Sequence, residues 1–242
     1  MPASSNFQQA IQEAQYSGLV GPNVVRKALP YVGGGMVLTA VGVMGGLSMI
    51  ASPLFQPLFF VALFGNLILF FISQNVALKA NNGAALPLLA TYSLLTGFTL
   101  SGLVAMAIGT AGIGAIATAA LATGITFVMA SVVGTRMSEN VGQALSAAVG
   151  LGILGLLIAM VLQLVGSLFI PGFGGAGFEL LIAGAGTVLF VGAAFVDFYT
   201  MPRSYRDDQY LAGALGMYLT YVNLFIFILR LIIALNGGGR RD

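Results

Sequence analysis

The chain has 242 residues, of which 58% are hydrophobic and only 7% charged, with a net charge of +2. A soluble domain carries about 25% charged residues, and so apolar a surface would associate in water; the bilayer is therefore the solvent. Cysteine and histidine are absent, which excludes disulfides, thiol chemistry, histidine-assisted serine catalysis and zinc–histidine sites, and the small net charge gives no footprint for nucleic acid.

Residues 1–27 are polar apart from a weakly amphipathic patch of Phe7, Ile11 and Ala14. Nothing there resembles a cleaved signal peptide, so the first membrane helix is expected to act as an uncleaved signal. After Arg26 and Lys27 no charge appears until Lys79, and none follows until Arg136, with Glu139 nearby. Each interval exceeds 50 residues, whereas one span needs about 20 apolar residues at about 1.5 Å each. Each interval therefore holds two helices and a charge-free turn. The first turn is SPLFQP, Ser52 to Pro57, because its prolines fit poorly in a helix interior. The second lies among the glycines from Gly109 to Gly114. A third hairpin, Ser146 to Thr200, breaks at PGFGGAG, Pro171 to Gly177, with Glu179 just beyond. The charged loop PRSYRDD precedes a last span.

The predicted spans are 28–50, 56–76, 86–108, 113–134, 146–169, 179–200 and 213–235. The chain thus reads as an all-α integral membrane protein with seven transmembrane helices. The domain fills 28–235, after a polar cytoplasmic segment 1–27 and before a short tail 236–242. Arg26, Lys27, Lys79, Arg136, Arg203 and Arg206 fall on one side under this count, and Arg240 and Arg241 on the other. Basic residues in short loops stay inside, so the N-terminus is expected in the cytoplasm and the C-terminus on the opposite side. Gly42 with Gly46, and Ala148 with Gly152, show the small-xxx-small spacing that lets helices approach closely where lipid offers no hydrophobic drive.

In VGAAFVDFYTMPR, Val191 to Arg203, Asp197 interrupts an apolar run about three residues inside the predicted end of the sixth span. Two readings stand. It is a juxtamembrane carboxylate reaching water or pairing with Arg203 or Arg206, or it is an interior carboxylate whose protonation sets a gate or whose oxygens meet a cation. In the seventh span, helical spacing puts Gly216, Thr220, Asn223, Phe227 and Arg230 on one stripe. Threonine and asparagine are awkward against lipid, so this stripe should face protein and the last helix should be central. Arg230 sits about a turn from the outer end, within snorkelling reach of it. Arg203, Arg206, Asp207 and Asp208 read as a solvated connector.

The segment AFVDFYTM, followed by DDQYLAGALGMYLTYVNLFIFILRLI, resembles the transmembrane Bax inhibitor motif family. Tyr218, Leu219, Asn223, Leu224, Phe225, Leu229 and Arg230 match the family's last-helix pattern, and ALPLLATYSLLTGFTLSG resembles its third helix. The resemblance implies six helices around a central C-terminal seventh. It also implies a cation leak, usually discussed for calcium, gated by protonation of two facing aspartates. Asp197 matches the first aspartate. Thr220 stands at the second position and cannot ionise. The second-helix arginine that pairs with those acids has no evident match, Lys79 being the only nearby cation. The leak is then either lost or reduced to a single-carboxylate gate of Asp197 and Thr220, with Asn223 beside it and Arg230, Arg203 and Arg206 as candidate supports. The partners implied are membrane lipid, cations (calcium and protons) and, by the association of some bacterial relatives with protease control, other membrane proteins. An enzyme is the weakest reading, because an aspartyl pair needs two interior acids. No lysine in the last helix would anchor retinal, and no metal or cofactor is expected.

Overall fold

Seven long helices follow one another with short connections in the computed structural model, which describes residues 18–170 and 172–237: α1 (Val24–Met49), α2 (Phe55–Leu78), α3 (Asn82–Ala111), α4 (Gly114–Gly134), α5 (Glu139–Phe169), α6 (Ala176–Ser204) and α7 (Tyr210–Gly237). Each is long and apolar enough to cross a membrane, and no strand occurs among the described residues. The chain is a multi-pass integral membrane protein. The patch of Phe7, Ile11 and Ala14, Pro171, and Arg240 with Arg241 lie outside the described residues.

The helices run past the predicted spans, most at their polar ends. α3 begins at Asn82 rather than 86, α5 at Glu139 rather than 146, and α6 continues through Pro202 to Ser204 rather than stopping at 200. The predicted limits followed the apolar runs, but a helix keeps its backbone bonds through the headgroup layer. The 31 residues of α5 extend about 46 Å, close to the full bilayer rather than its hydrocarbon core. Pro57 sits in the first turn of α2, where its missing N–H costs nothing. The α2–α3 turn uses Ala80 at φ 56°, with Ala80 N–H and Asn81 N–H donating to the Ala77 and Val76 carbonyls. The α3–α4 turn uses Gly112 at φ 78°.

Chain alternation brings the connections 79–81, 135–138 and 205–209 to one end, together with Arg26, Lys27, Lys79, Arg136, Arg203 and Arg206. At the other end the charged residues described are Glu179 and Arg230.

The last helix is enclosed. From Leu211 to Ala234 no residue is exposed. Leu211, Leu215, Met217, Tyr218, Leu224 and Leu229 of α7 are among the largest fully buried side chains. α7 packs against α1, α2, α3, α4 and α6, while α5 lies mainly on α6 and shares with α6 and α7 a cluster of Leu156, Ile182 and Phe227. α1 and α3 make the closest approach. A Cβ at Gly42 would strike the Leu94 carbonyl, and one at Gly97 the Thr39 carbonyl. The predicted Gly42–Gly46 face is thus an interface. The Ala148–Gly152 pair is not one: Gly152 meets the Leu189 side chain of α6, but Ala148 is exposed. The buried seam of α5 is instead Gly142, Val149 and Leu156 at heptad spacing.

Candidate functional site

α6 and α7 run antiparallel along one seam. Met201 covers Gly213, Thr220 faces Asp197, Phe190 stacks on Phe227 at 5.3 Å between centroids, and Glu179 holds Arg230. The stripe Gly216, Thr220, Asn223, Phe227 and Arg230 is therefore the α6-facing side of α7. Thr220 and Phe227 are buried, and Gly216, Asn223 and Arg230 half-buried.

Asp197 lies deeper than the sequence suggested. With α6 running to Ser204, it sits seven residues from that end, about 10 Å along the axis. Its Oδ2 is buried and has no hydrogen-bond partner in the protein. Thr220 supplies the neighbouring hydroxyl. Among the other buried serines and threonines, Thr39, Ser93, Thr96 and Thr123 return their hydroxyls to the carbonyl four residues back, and Ser101 to that three back. Thr220 makes no such bond, which leaves its hydroxyl free to meet the carboxyl.

No arginine reaches Asp197. Arg203 donates to the Tyr199 carbonyl at 2.6 Å and lies 4.0 Å over the Tyr199 ring. Arg206 pairs with Asp208 at 3.0 Å on the surface. Arg230 makes a two-pronged pair with Glu179 at 2.8 and 2.9 Å. The pairing with Arg203 or Arg206 considered from the sequence is absent, because these side chains turn back to their own helix end and loop. A carboxylate in the membrane without a countercharge must be met by water, a cation or a proton. Among the described residues no three acidic side chains gather to hold a metal.

Sequence reasoning missed three features. The Glu179–Arg230 pair joins α6 to α7 near the outer end, and Gln163 of α5 adds a contact to Glu179 at 3.4 Å. The opposite signs of the two charges were the available signal. A hydroxyl node joins α1, α3 and α7, where Thr39 and Tyr218 hydroxyls meet at 2.6 Å beside Ser93 and Thr96, and Asn66 of α2 donates to Thr96 at 2.8 Å. Four helices contribute, so no single periodicity announces it. Finally, part of the supposed solvated connector is a clasp. Asp207 accepts from Asn23 N–H at 2.9 Å and its side-chain amide at 3.1 Å, and Lys27 donates to the Asp207 carbonyl at 3.2 Å. Gln209 donates to the Leu78 carbonyl at 2.7 Å, and Asn82 to the Asp208 carbonyl at 2.9 Å.

The family described as Inhibitor of apoptosis-promoting Bax1 matches residues 21–237, all seven helices. An uncharacterized protein of Helicobacter pylori is 28% identical over 86% of this chain and 85% of its own. An uncharacterized protein of Lactococcus lactis is 31% identical over 70% of this chain and 69% of its own. Bax inhibitor 1 of Schizosaccharomyces pombe is 33% identical over 22% of this chain and 20% of its own.

Proposed function

The chain belongs to the Bax inhibitor family of multi-pass membrane proteins, and we propose that it is a cation leak governed by the protonation state of Asp197. The observation that carries the reading is the buried Oδ2 of Asp197, left without a protein partner in the α6–α7 seam. The charged form of that group attracts a cation or water, and the protonated form can donate to Thr220 instead. The gate differs from the family's paired acids. Two facing carboxylates can share a proton and titrate as a unit, whereas Asp197 with Thr220 titrates as a single group. Calcium is the ion tested first, on the family resemblance. In this reading the basic end faces the cytoplasm, as the loop charges favour, and no bond-making chemistry is involved.

Reconstituted liposomes loaded with a calcium indicator test it. Wild type is expected to leak with one titration, Asp197→Asn to lose the pH response, and Thr220→Asp to broaden it into two steps. Equal fluxes from wild type and Asp197→Asn at every pH would remove the gate.

A second reading is a non-conducting regulator that docks other membrane proteins, such as a membrane protease. The threonine at position 220 favours it, since the second ionisable group is missing. Crosslinking in native membranes with recovery of a specific membrane partner supports this reading, and recovery of the monomer alone counts against it.

A further inference from the structure

Four of the five buried side-chain polar atoms that have no protein partner among the described residues belong to α2 or the start of α3: Asn66 Oδ1, Ser73 Oγ, Gln74 Oε1 and Asn82 Oδ1. They are not scattered. On α2, residues 66, 73 and 77 repeat at helical spacing and form the side that packs on α3. Asn66 and Gln74 are half-buried, and Ser73 is 1% exposed. Asn82 stands where α3 begins, its amide bonded to the Asp208 carbonyl at the charged end. From the end of α2 at Leu78 to Asn66 is twelve residues, about 18 Å. A broken line of acceptors thus descends from the charged end to the hydroxyl node of Thr96, Ser93, Tyr218 and Thr39.

These atoms have chemical reasons to want a partner. An unsatisfied acceptor in the membrane interior is costly, and serine has a ready remedy in its own helix. The other serines and threonines buried in α1, α3 and α4 take that remedy by bonding a carbonyl one turn back. Ser73 does not, although it is the least exposed of the four. Asn66 cannot be satisfied by turning its amide, because one end of the group meets Thr96 and the other meets nothing. Beside Ser73 on α2 stands the small Ala77, and among the buried residues of α3 are the small Ala85 and, two turns on, Tyr92. Ordered water satisfies buried polar groups of this kind where the site has room for it and offers two or more partners.

We propose that the α2–α3 seam holds a file of water molecules, entering beside Asn82 and ending at Asn66 and the Thr96–Tyr218 hydroxyls. Water donates to these acceptors and accepts from the Ser73 hydroxyl, while the inner hydroxyls of Thr96, Ser93 and Thr39, whose protons already go to carbonyls one turn back, offer it only lone pairs. The file lies along α2 and is distinct from the Asp197 site on α6. It stands whether or not the protein conducts ions, so its test separates from the flux assay above.

The absence of native cysteine makes single-cysteine variants clean probes, since the reactive thiolate forms only where water reaches it. Ser73→Cys and Asn66→Cys, in the full chain in proteoliposomes, are treated with 2-aminoethyl methanethiosulfonate. Ala119→Cys, at a position 0% exposed, is the dry control, and Phe71→Cys, on the outward side of α2, is the lipid-facing one. The file predicts modification at 73 and 66 at least ten times faster than at 119 and 71. Rates at 73 and 66 equal to those of the two controls would overturn it. Ser73→Ala gives a readout without reagent. A hydroxyl satisfied by water is removed with Tm unchanged or lowered, whereas removing a dry orphan raises Tm, and a rise would equally overturn the proposal.

Discussion

Replacing Arg230 with methionine keeps most of the apolar stem and deletes the guanidinium that grips both oxygens of Glu179 at 2.8 and 2.9 Å. The side chains are 18% and 33% exposed for Arg230 and Glu179, which places the pair between two limits. Exposed pairs contribute about 0–1 kcal/mol, while breaking a fully buried pair costs about 3–5 kcal/mol because the remaining charge is stranded. Arg230→Met should therefore cost about 2 kcal/mol. Glu179→Gln should cost less, since the amide still accepts from the arginine and the stranded charge retains an outlet along the stem toward the headgroups. The stranding argument makes a sharper statement about the double variant. With both charges gone nothing is left uncompensated, so Glu179→Gln/Arg230→Met should be less damaged than the sum of the single losses by about 1 kcal/mol or more. Thermal unfolding of the detergent-solubilised protein, followed by circular dichroism, measures all four corners of the cycle. At about 2–4 °C per kcal/mol for a chain of this size, Arg230→Met should lower Tm by about 4–8 °C. Additive losses in the double variant would refute the coupling and reduce the pair to a surface contact.

Three further outcomes follow from the geometry. Ala80 holds φ 56° in the α2–α3 turn, where a Cβ costs about 1 kcal/mol, so Ala80→Gly should raise Tm by a few degrees. A Cβ at Gly42 would run into the Leu94 backbone carbonyl, so Gly42→Val should separate α1 from α3 and cost on the order of 3 kcal/mol, seen as a lower Tm and faster proteolysis. Partial burial pushes the Asp207 carboxyl up, but hydrogen bonds from Asn23 and the Lys27 charge outweigh it and hold the group below its ordinary value. A depressed carboxyl stabilises the fold above its unfolded pKa and loses that contribution on acidification; Tm should therefore drop below about pH 4, and Asp207→Asn should remove that part of the drop.

The span count was legible because charge is so scarce that Lys79 and Arg136 can only mark turns. The enclosed last helix was legible too, because Thr220 and Asn223 repeat at helical spacing in a setting where lipid contact penalises them. Helix ends were read short, since hydropathy follows the hydrocarbon layer and the backbone bonds do not stop there; Asp197 consequently lies seven residues from the end of α6 rather than three. Which residues meet across helices was not legible. Ala148 and Gly152 have the spacing of an interface, yet α5 turns Gly142, Val149 and Leu156 inward, because its orientation is decided by the knobs that α6 presents. Glu179 and Arg230 are separated by a whole hairpin turn, and their meeting depends on the register of α6 against α7. The Thr39–Tyr218 contact requires α1, α3 and α7 to be in place together, and no one of them carries its pattern.

The enclosure of α7 has a consequence for biogenesis. The ribosome makes the hub of this bundle after the six helices around it. Until residue 210 emerges, α1 to α4 and α6 have no centre to close upon, and Thr39, Ser93 and Asp197 must wait on half-built walls. Without α7, the faces of α1 to α4 and α6 that pack on it have no partner. Insertion of the final segment is a closing step as well as a crossing, and a stop codon anywhere before it should send the product to quality-control proteolysis.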